Sequence, residues 1–253
     1  MMAWVLLTLF VILTITVGGD RTAKTSLTTA INGFILVLSV FAIYWGAPIM
    51  LVTLAASFLV VCCTVFFQNE RNKKTKAAFL SILVVVAMTL VFIFIFVYKG
   101  NLGGFPVLGE HAIRPSNGYE ADINMNMSML QVAVVLIALT GAIIDTAVAI
   151  TSGVYEVKRN NPHLDSHQLF KSGMRIGREI ISSTVNTLFF IFVGEYLVMF
   201  VNFSMFYSFG TLINSKEFAQ GVTTILISAI GCILIIPIAS YLSGKMFHKK
   251  EER

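Results

Sequence analysis

Apolar runs of membrane-spanning length recur along this 253-residue chain. A transmembrane helix needs about 20 consecutive, mostly apolar residues. Within lipid each backbone N–H and C=O must be satisfied internally, so such runs form helices. Only 12% of the residues are charged, against roughly 25% in soluble domains. The sequence therefore predicts an all-α, polytopic transmembrane helix bundle. Its seven candidate spans are 2–18, 28–45, 48–67, 77–98, 128–152, 182–204 and 218–241.

The distribution of Lys and Arg predicts the orientation of these spans. Most of the 18 basic residues lie in loops 19–27, 68–76 and 153–181 and in the tail 242–253. The alternating loops hold only Lys99, Arg114 and Lys216. Because basic loops stay in the cytoplasm, the N-terminus is expected outside and the C-terminus inside. We expect the first span to be retained rather than cleaved as a signal peptide.

The spans and their loops are predicted to form one membrane-embedded domain, 1–253. The external loop 99–127 is rich in Gly and Pro, which is typical of irregular turns. Segment 153–181 is expected in the cytoplasm, and the basic tail 242–253 follows the last span on the same side.

Segment 153–181 carries the signals of a short amphipathic helix on the cytoplasmic leaflet. Asn161-Pro162 ends the preceding helix, and Asp165 with Gln168 resembles a capping box that begins a new one. The basic residues then recur at i, i+4 and i+7, on a face away from the apolar residues. They are Lys171, Arg175 and Arg178. A solvated linker is the alternative interpretation.

Asp145 lies inside the fifth apolar run, where a carboxylate costs about 2.5 to 3.5 kcal/mol on membrane-insertion scales. Small residues share its helical stripe and would let a neighbouring helix approach closely. These candidate packing residues are Gly141, Ala149 and Ser152. The pattern predicts that Asp145 faces protein rather than lipid.

The sixth span opens with a polar patch at a depth similar to that of Asp145. Ser183, Asn186 and Thr187 share one face there and are candidate hydrogen-bond partners of its carboxylate. The four residues form a candidate site for ion or proton coupling. The alternative is a packing carboxyl that locks two helices together.

Three further charged residues are candidates for a cytoplasmic mouth or a charge network: Glu156, Arg178 and Glu179. Glu195 is a second acid within the membrane, in the middle of the sixth span. It is either a functional carboxylate or a contact to a partner subunit.

No pattern in the sequence indicates catalysis or a bound cofactor. There is no H-E-x-x-H motif, no nucleophile elbow and no Gly-rich phosphate loop after a strand. The three cysteines lack metal-ligand spacing, and the basic loops lack aromatic residues suited to base stacking. We therefore expect no enzyme activity, cofactor, metal or nucleic-acid partner, with the lipid bilayer as the surroundings.

Several short blocks are specific enough to indicate a family. They run from Gly141 through Asp145 to Glu156, then Asn161-Pro162-His163-Leu164, Ser172-Gly173-Met174-Arg175-Ile176-Gly177-Arg178-Glu179 and Ser183-Thr184-Val185-Asn186-Thr187-Leu188. With a weaker block, Asn72–Ala78, they resemble the YibE/F family of bacterial multi-pass membrane proteins. The likeness covers most of residues 70–200.

The resemblance implies a location in the bacterial cytoplasmic membrane. The chain is similar to the shorter, YibF-type member, which implies pairing with a related YibE-type subunit or with a second copy. The family often has Asp where this chain has Glu179. The Asp-bearing, Gly-containing helix and the polar helix start after it also resemble the proton-coupled core of resistance-nodulation-division permeases.

These observations favour a permease-like protein that moves an ion or small solute, with Asp145 as the coupling or ion-binding carboxylate. The alternative is a non-transporting assembly or scaffold subunit that pairs with a YibE-type protein.

Overall fold

The computed structural model describes residues 2–69, 71–104, 125–206 and 208–248, and over these ranges the chain is helical without strands. Its elements are α1 (Met2–Tyr44), α2 (Ile49–Cys62) with a π-helical end (Cys63–Phe67), α3 (Lys73–Lys99), α4 (Met127–Asn160), α5 (Ser166–Phe206), the short α6 (Phe209–Ile213) and α7 (Lys216–His248).

Six helices are long and apolar enough to cross a membrane: Thr22–Tyr44, Ile49–Phe67, Lys73–Lys99, Met127–Asn160, Ser166–Leu197 and Lys216–Phe247. They confirm the predicted all-α, multi-span class. The predicted first span, 2–18, corresponds to a shorter apolar helix, Trp4–Gly19. It is separated from the rest of α1 at Gly19, whose φ of 61° leaves the helical region and is readily adopted only by glycine.

The core lies where α3, α4 and α7 meet. On α4 the buried side chains recur every three or four residues, as on one face of an amphipathic helix. Among them are Leu136, Leu139, Ile143, Ala147, Ile150 and Val154. Because this face packs against α3 and α7, the opposite face of α4 is left for the small residues and Asp145.

A tight turn over residues 161–165 joins α4 to α5. The predicted capping box is confirmed: the backbone N–H of Gln168 donates to Asp165 Oδ1 at 2.7 Å, and the backbone N–H of Asp165 donates to Gln168 Oε1 at 3.0 Å. Such reciprocal bonds satisfy donors that a helix start otherwise leaves free. Since the turn is short, α4 and α5 run in opposite directions.

The predicted short helix within segment 153–181 is wrong in extent. α4 continues to Asn160, and the amphipathic stretch is the first part of α5, which runs unbroken into the sixth span. The faces are as predicted, because Leu169 and Gly173 are buried while Lys171, Arg175 and Arg178 are exposed.

The predicted tail 242–253 begins inside α7, which extends to His248. Residues 249–253 lie outside the described part of the chain, as does most of the predicted external loop 99–127.

Candidate functional site

Asp145 lies near the middle of α4, on the face turned away from the core. Its neighbours in the chain, Ile144 and Thr146, are buried. The side chain of Asp145 is exposed, so no described residue seals it off. At about 1.5 Å per residue, it stands roughly 22 Å along the helix from Asn160.

α5 lies opposite Asp145 and carries an acidic residue, Glu179, at a similar depth along the bundle. Glu179 stands roughly 20 Å along α5 from Ser166, by the same rise per residue. Because α4 and α5 form a hairpin closed by the 161–165 turn, the two carboxylates have similar depths. The hairpin therefore brings one acid from each helix to the same level.

A cleft of about 630 Å³ separates these walls. Asp145 and Glu179 line it together with three hydroxyl residues of α5: Ser183, Thr184 and Thr187. The rest of the lining is apolar or small: Ala138, Gly141, Ala142, Ile180, Leu188 and Ile191. We call this space the acidic cleft. Its volume lies within the range of about 300 to 1,000 Å³ that is typical of small-ligand sites.

The two threonines of the acidic cleft direct their protons into their own helix. Thr184 Oγ1 donates to the carbonyl of Ile180 at 3.2 Å, and Thr187 Oγ1 donates to that of Ser183 at 2.9 Å. A hydroxyl oxygen that has donated in this way still has lone pairs with which to accept a hydrogen bond or bind a cation. Asp145 makes no hydrogen bond or ion pair with any described residue. The predicted hydrogen bonds to Asp145 are therefore absent from the described structure, although Ser183 and Thr187 line its cleft.

Asn186 does not line the acidic cleft, contrary to its predicted place beside Asp145. Its side chain is exposed on the flank of α5, next to Thr187 in sequence but about 100° away around the helix. Of the three predicted residues of the polar patch, Ser183 and Thr187 line the acidic cleft and Asn186 does not.

The three candidate residues for a cytoplasmic mouth do not lie together in the structure. Glu179 lines the acidic cleft. Its Oε1 lies 3.6 Å from Arg175 Nε in an exposed i, i+4 ion pair. Glu156 and Arg178 are exposed and lie outside the cleft lining. An exposed pair of this kind contributes little stability, about 0.3–0.5 kcal/mol, so Glu179 is not locked by it.

The predicted close packing at Gly141, Ala149 and Ser152 is not met within this chain. A Cβ added at Gly141 would meet nothing within 4 Å, Ala149 is exposed and Ser152 is only half-buried. The reason is that α4 uses its other face for the core. The close helix approaches occur elsewhere, where Gly173 of α5 faces Ser240 of α7.

Glu195 is exposed on α5 and does not line the acidic cleft. It lies beside Tyr196, which belongs to an aromatic group with Phe192, Phe200 and Phe218 at the α5–α7 contact. Among the described residues, no group of three or more His, Cys, Asp or Glu side chains is placed to hold a metal ion.

Two features of the acidic cleft escaped the sequence-based prediction: the contribution of Thr184 and the entry of Glu179 beside Asp145. Both signals are present in the sequence. Positions 180, 184, 187 and 191 recur at helical spacing, and counting residues from the 161–165 turn gives the acids equal depth.

The family comparison agrees with the resemblance seen in the sequence. The family model described as YibE/F-like protein matches residues 6–249, a range that includes both walls of the acidic cleft. No curated protein and no solved structure matches the chain. Because the family match covers nearly the whole chain, this protein belongs to the YibE/F family.

Proposed function

We propose that this protein is a permease-like subunit that moves an ion or a small solute, with Asp145 as the coupling or ion-binding carboxylate. One observation carries the proposal: Asp145 lines a cleft within membrane-length helices, shares it with Glu179, and makes no hydrogen bond or ion pair with a described residue. A carboxylate in that setting is costly unless it has something to bind.

The lining suits a proton or a small cation. Carboxylate and hydroxyl oxygens are the ligands that hard cations prefer, and the acidic cleft offers them from two helices. A proton on Asp145 would neutralise its charge, and a bound cation would balance it. Either event changes how α4 and α5 face each other electrostatically, which is the kind of local change that a transport cycle uses.

The apolar residues of the cleft lining cannot solvate the Asp145 carboxylate. Since hydrocarbon cannot solvate a carboxylate, the cleft must hold water or be covered by another subunit. A related YibE-type subunit or a second copy of this chain would supply such a cover. With the N-terminus outside, as the Lys and Arg distribution favours, the 161–165 turn lies on the cytoplasmic side and Glu156 and Arg178 belong to that mouth.

The test is flux in proteoliposomes that contain the wild-type protein, Asp145→Asn or Glu195→Gln. Protons are followed with an entrapped pH dye under imposed Na⁺ and K⁺ gradients. We expect the wild type to couple proton movement to a cation gradient, and Asp145→Asn to abolish that coupling because the amide cannot take up and release a proton. Glu195→Gln is the matched control, because Glu195 is the second acid predicted within the membrane and lies outside the acidic cleft, farther along α5. Equal flux by wild type and Asp145→Asn at every pH would overturn the proposal.

The scaffold alternative is favoured by a different observation. The helices Thr22–Tyr44 and Ser166–Leu197 each contain an apolar stretch of 18 residues. In each stretch only 6% of the residues are buried within the chain. Such faces are open to lipid or to another membrane protein. If Gly141→Leu abolishes capture of a co-expressed YibE-type subunit while Asp145→Asn leaves both capture and flux intact, the chain acts in assembly rather than transport.

A further inference from the structure

A second cleft lies where α3 begins and α4 ends, and its volume is about 460 Å³. Five cationic side chains line it: Arg71, Lys73, Lys76, Lys158 and Arg159. Within the described part of the chain, no Asp or Glu takes part in this lining. We call it the basic cleft. It is separate from the acidic cleft and shares no lining residue with it.

One of these cations is held by the fold. Lys158 Nζ donates to the carbonyls of Pro162 and Leu164, both at 2.8 Å, and so fastens the turn that follows α4. Arg71, Lys76 and Arg159 are exposed. The basic cleft therefore combines one anchored ammonium with three charged groups that are free to turn toward a ligand.

Helix electrostatics do not account for the cations of α3. The first turn of a helix favours acidic residues because the unsatisfied N–H groups give it a partial positive charge. The first turn of α3 contains no acid, and Lys73, Lys74 and Lys76 lie in or next to it. By contrast, Lys158 and Arg159 lie in the last turn of α4, where basic residues are favourable. An anion in the basic cleft would relieve the unfavourable charge at the start of α3.

Apart from Asn72, the remaining wall of the basic cleft is aromatic. Tyr155 and Phe247 line it and meet edge to face at a centroid distance of 5.6 Å. Lys74 Nζ lies 5.9 Å from the centroid of the Tyr155 ring and makes a cation–π contact with it. A bias of basic residues to one side of the membrane explains their presence, but not their convergence from two helices on one concave, aromatic-walled space.

We propose that the basic cleft binds a phosphate-bearing anion. Phosphate oxygens accept charge-assisted hydrogen bonds from Arg and Lys, and basic pockets at the cytoplasmic ends of membrane helices suit phospholipid head groups. A soluble phosphorylated molecule offers the same chemistry. Anion binding at the basic cleft does not depend on the role of Asp145, so it is tested separately from the proposed transport.

Binding is measured on the purified full-length protein with two probes. Inorganic phosphate is titrated by calorimetry at low and high salt, and retention of phosphatidylglycerol over phosphatidylcholine is followed by native mass spectrometry. The test variant is Arg71→Gln/Lys76→Gln. Its control, Lys171→Gln/Lys245→Gln, removes the same charge from exposed positions outside the basic cleft. Thermal unfolding without ligand verifies that both variants are folded.

We expect saturable binding of at least one probe to the wild type, weaker at high salt. We expect the test variant to weaken that binding by about tenfold or more, because two charge-assisted contacts are lost, and the control to stay close to wild type. Binding of phosphate alone identifies a soluble ligand, and retention of phosphatidylglycerol that phosphate does not displace identifies a lipid. No saturable binding of either probe, or an equal loss in the control, would overturn the inference.

Discussion

Asp145 occupies a position that neither lipid nor the core of this chain can satisfy. Its carboxylate lies on the face of α4 that is not packed against α3 and α7, and the polar residues of α5 that line the same cleft are Glu179, Ser183, Thr184 and Thr187. Removing a carboxylate from water without a partner carries a large cost. Among the described residues, no hydrogen-bond donor or cation contacts the Asp145 carboxylate, and this is the feature that sets the acidic cleft apart.

The sequence allowed Asp145, Ser183 and Thr187 to be assigned to one site, because depth and helical phase can both be counted along the chain. It did not allow Asn186 to be excluded or Glu179 to be included. Those assignments depend on how far α5 is rotated about its axis. That rotation is set by tertiary contacts such as Gly173 with Ser240.

A prediction at the residue scale concerns the cap of α5. Asp165→Ala removes the acceptor of the 2.7 Å bond from the Gln168 N–H and should cost about 0.5–2 kcal/mol. We expect faster amide hydrogen exchange over the first turn of α5, measured by mass spectrometry. Asp165→Asn is the control and should behave nearly as the wild type, since Asn caps helices equally well. Unchanged exchange in Asp165→Ala would show that the cap contributes nothing.

At the scale of elements, six of the seven predicted apolar runs correspond to helices of membrane-spanning length, but not all of their predicted ends agree with the structure. The boundary expected near residue 182 is absent because no Pro lies between the amphipathic and apolar stretches of α5, and isolated glycines such as Gly177 are tolerated within a helix. A change from polar to apolar composition alters what surrounds a helix without ending it. Conversely, the break at Gly19 depends on one residue with positive φ.

The α5–α7 contact makes a second prediction at this scale. A Cβ on Gly173 would come within 2.6 Å of Ser240 Oγ, and Ser240 is fully buried. Gly173→Ala should therefore lower the free energy of unfolding by roughly 1–3 kcal/mol, the usual cost of overpacking. The measurement is thermal or denaturant unfolding in detergent. Gly141→Ala is the matched control, with open space around its Cβ, and equal destabilisation of both would contradict the packing described here.

At the scale of the whole molecule, α3, α4 and α7 form the centre while α1 packs on α2 at the edge. Asn32 Nδ2 donates to Thr64 Oγ1 at 2.8 Å and ties α1 to the π-helical end of α2. Hydropathy could not predict this arrangement, because lipid-facing and core-facing sides of membrane helices are similarly apolar. It leaves the acidic and basic clefts as two chemically opposite concave surfaces of one bundle.

The orientation of the molecule gives a prediction at the same scale. In a background without the native cysteines, His163→Cys places a single thiol in the turn before α5, and Asn214→Cys places one in the turn between α6 and α7, both at exposed positions. We expect a membrane-impermeant maleimide to label Asn214→Cys in intact bacterial cells and His163→Cys only after permeabilisation, because basic loops remain in the cytoplasm. The reverse pattern would invert the topology.

The claim that the acidic cleft is an accessible, ionisable site is tested most directly by carbodiimide labelling. Dicyclohexylcarbodiimide reacts with protonated carboxyl groups in apolar surroundings, and mass spectrometry locates the label in protein reconstituted into liposomes. We predict label on Asp145 that disappears as the pH is raised. Absence of label on Asp145 at every pH, in samples in which other carboxyl groups of the protein are labelled, would contradict the account.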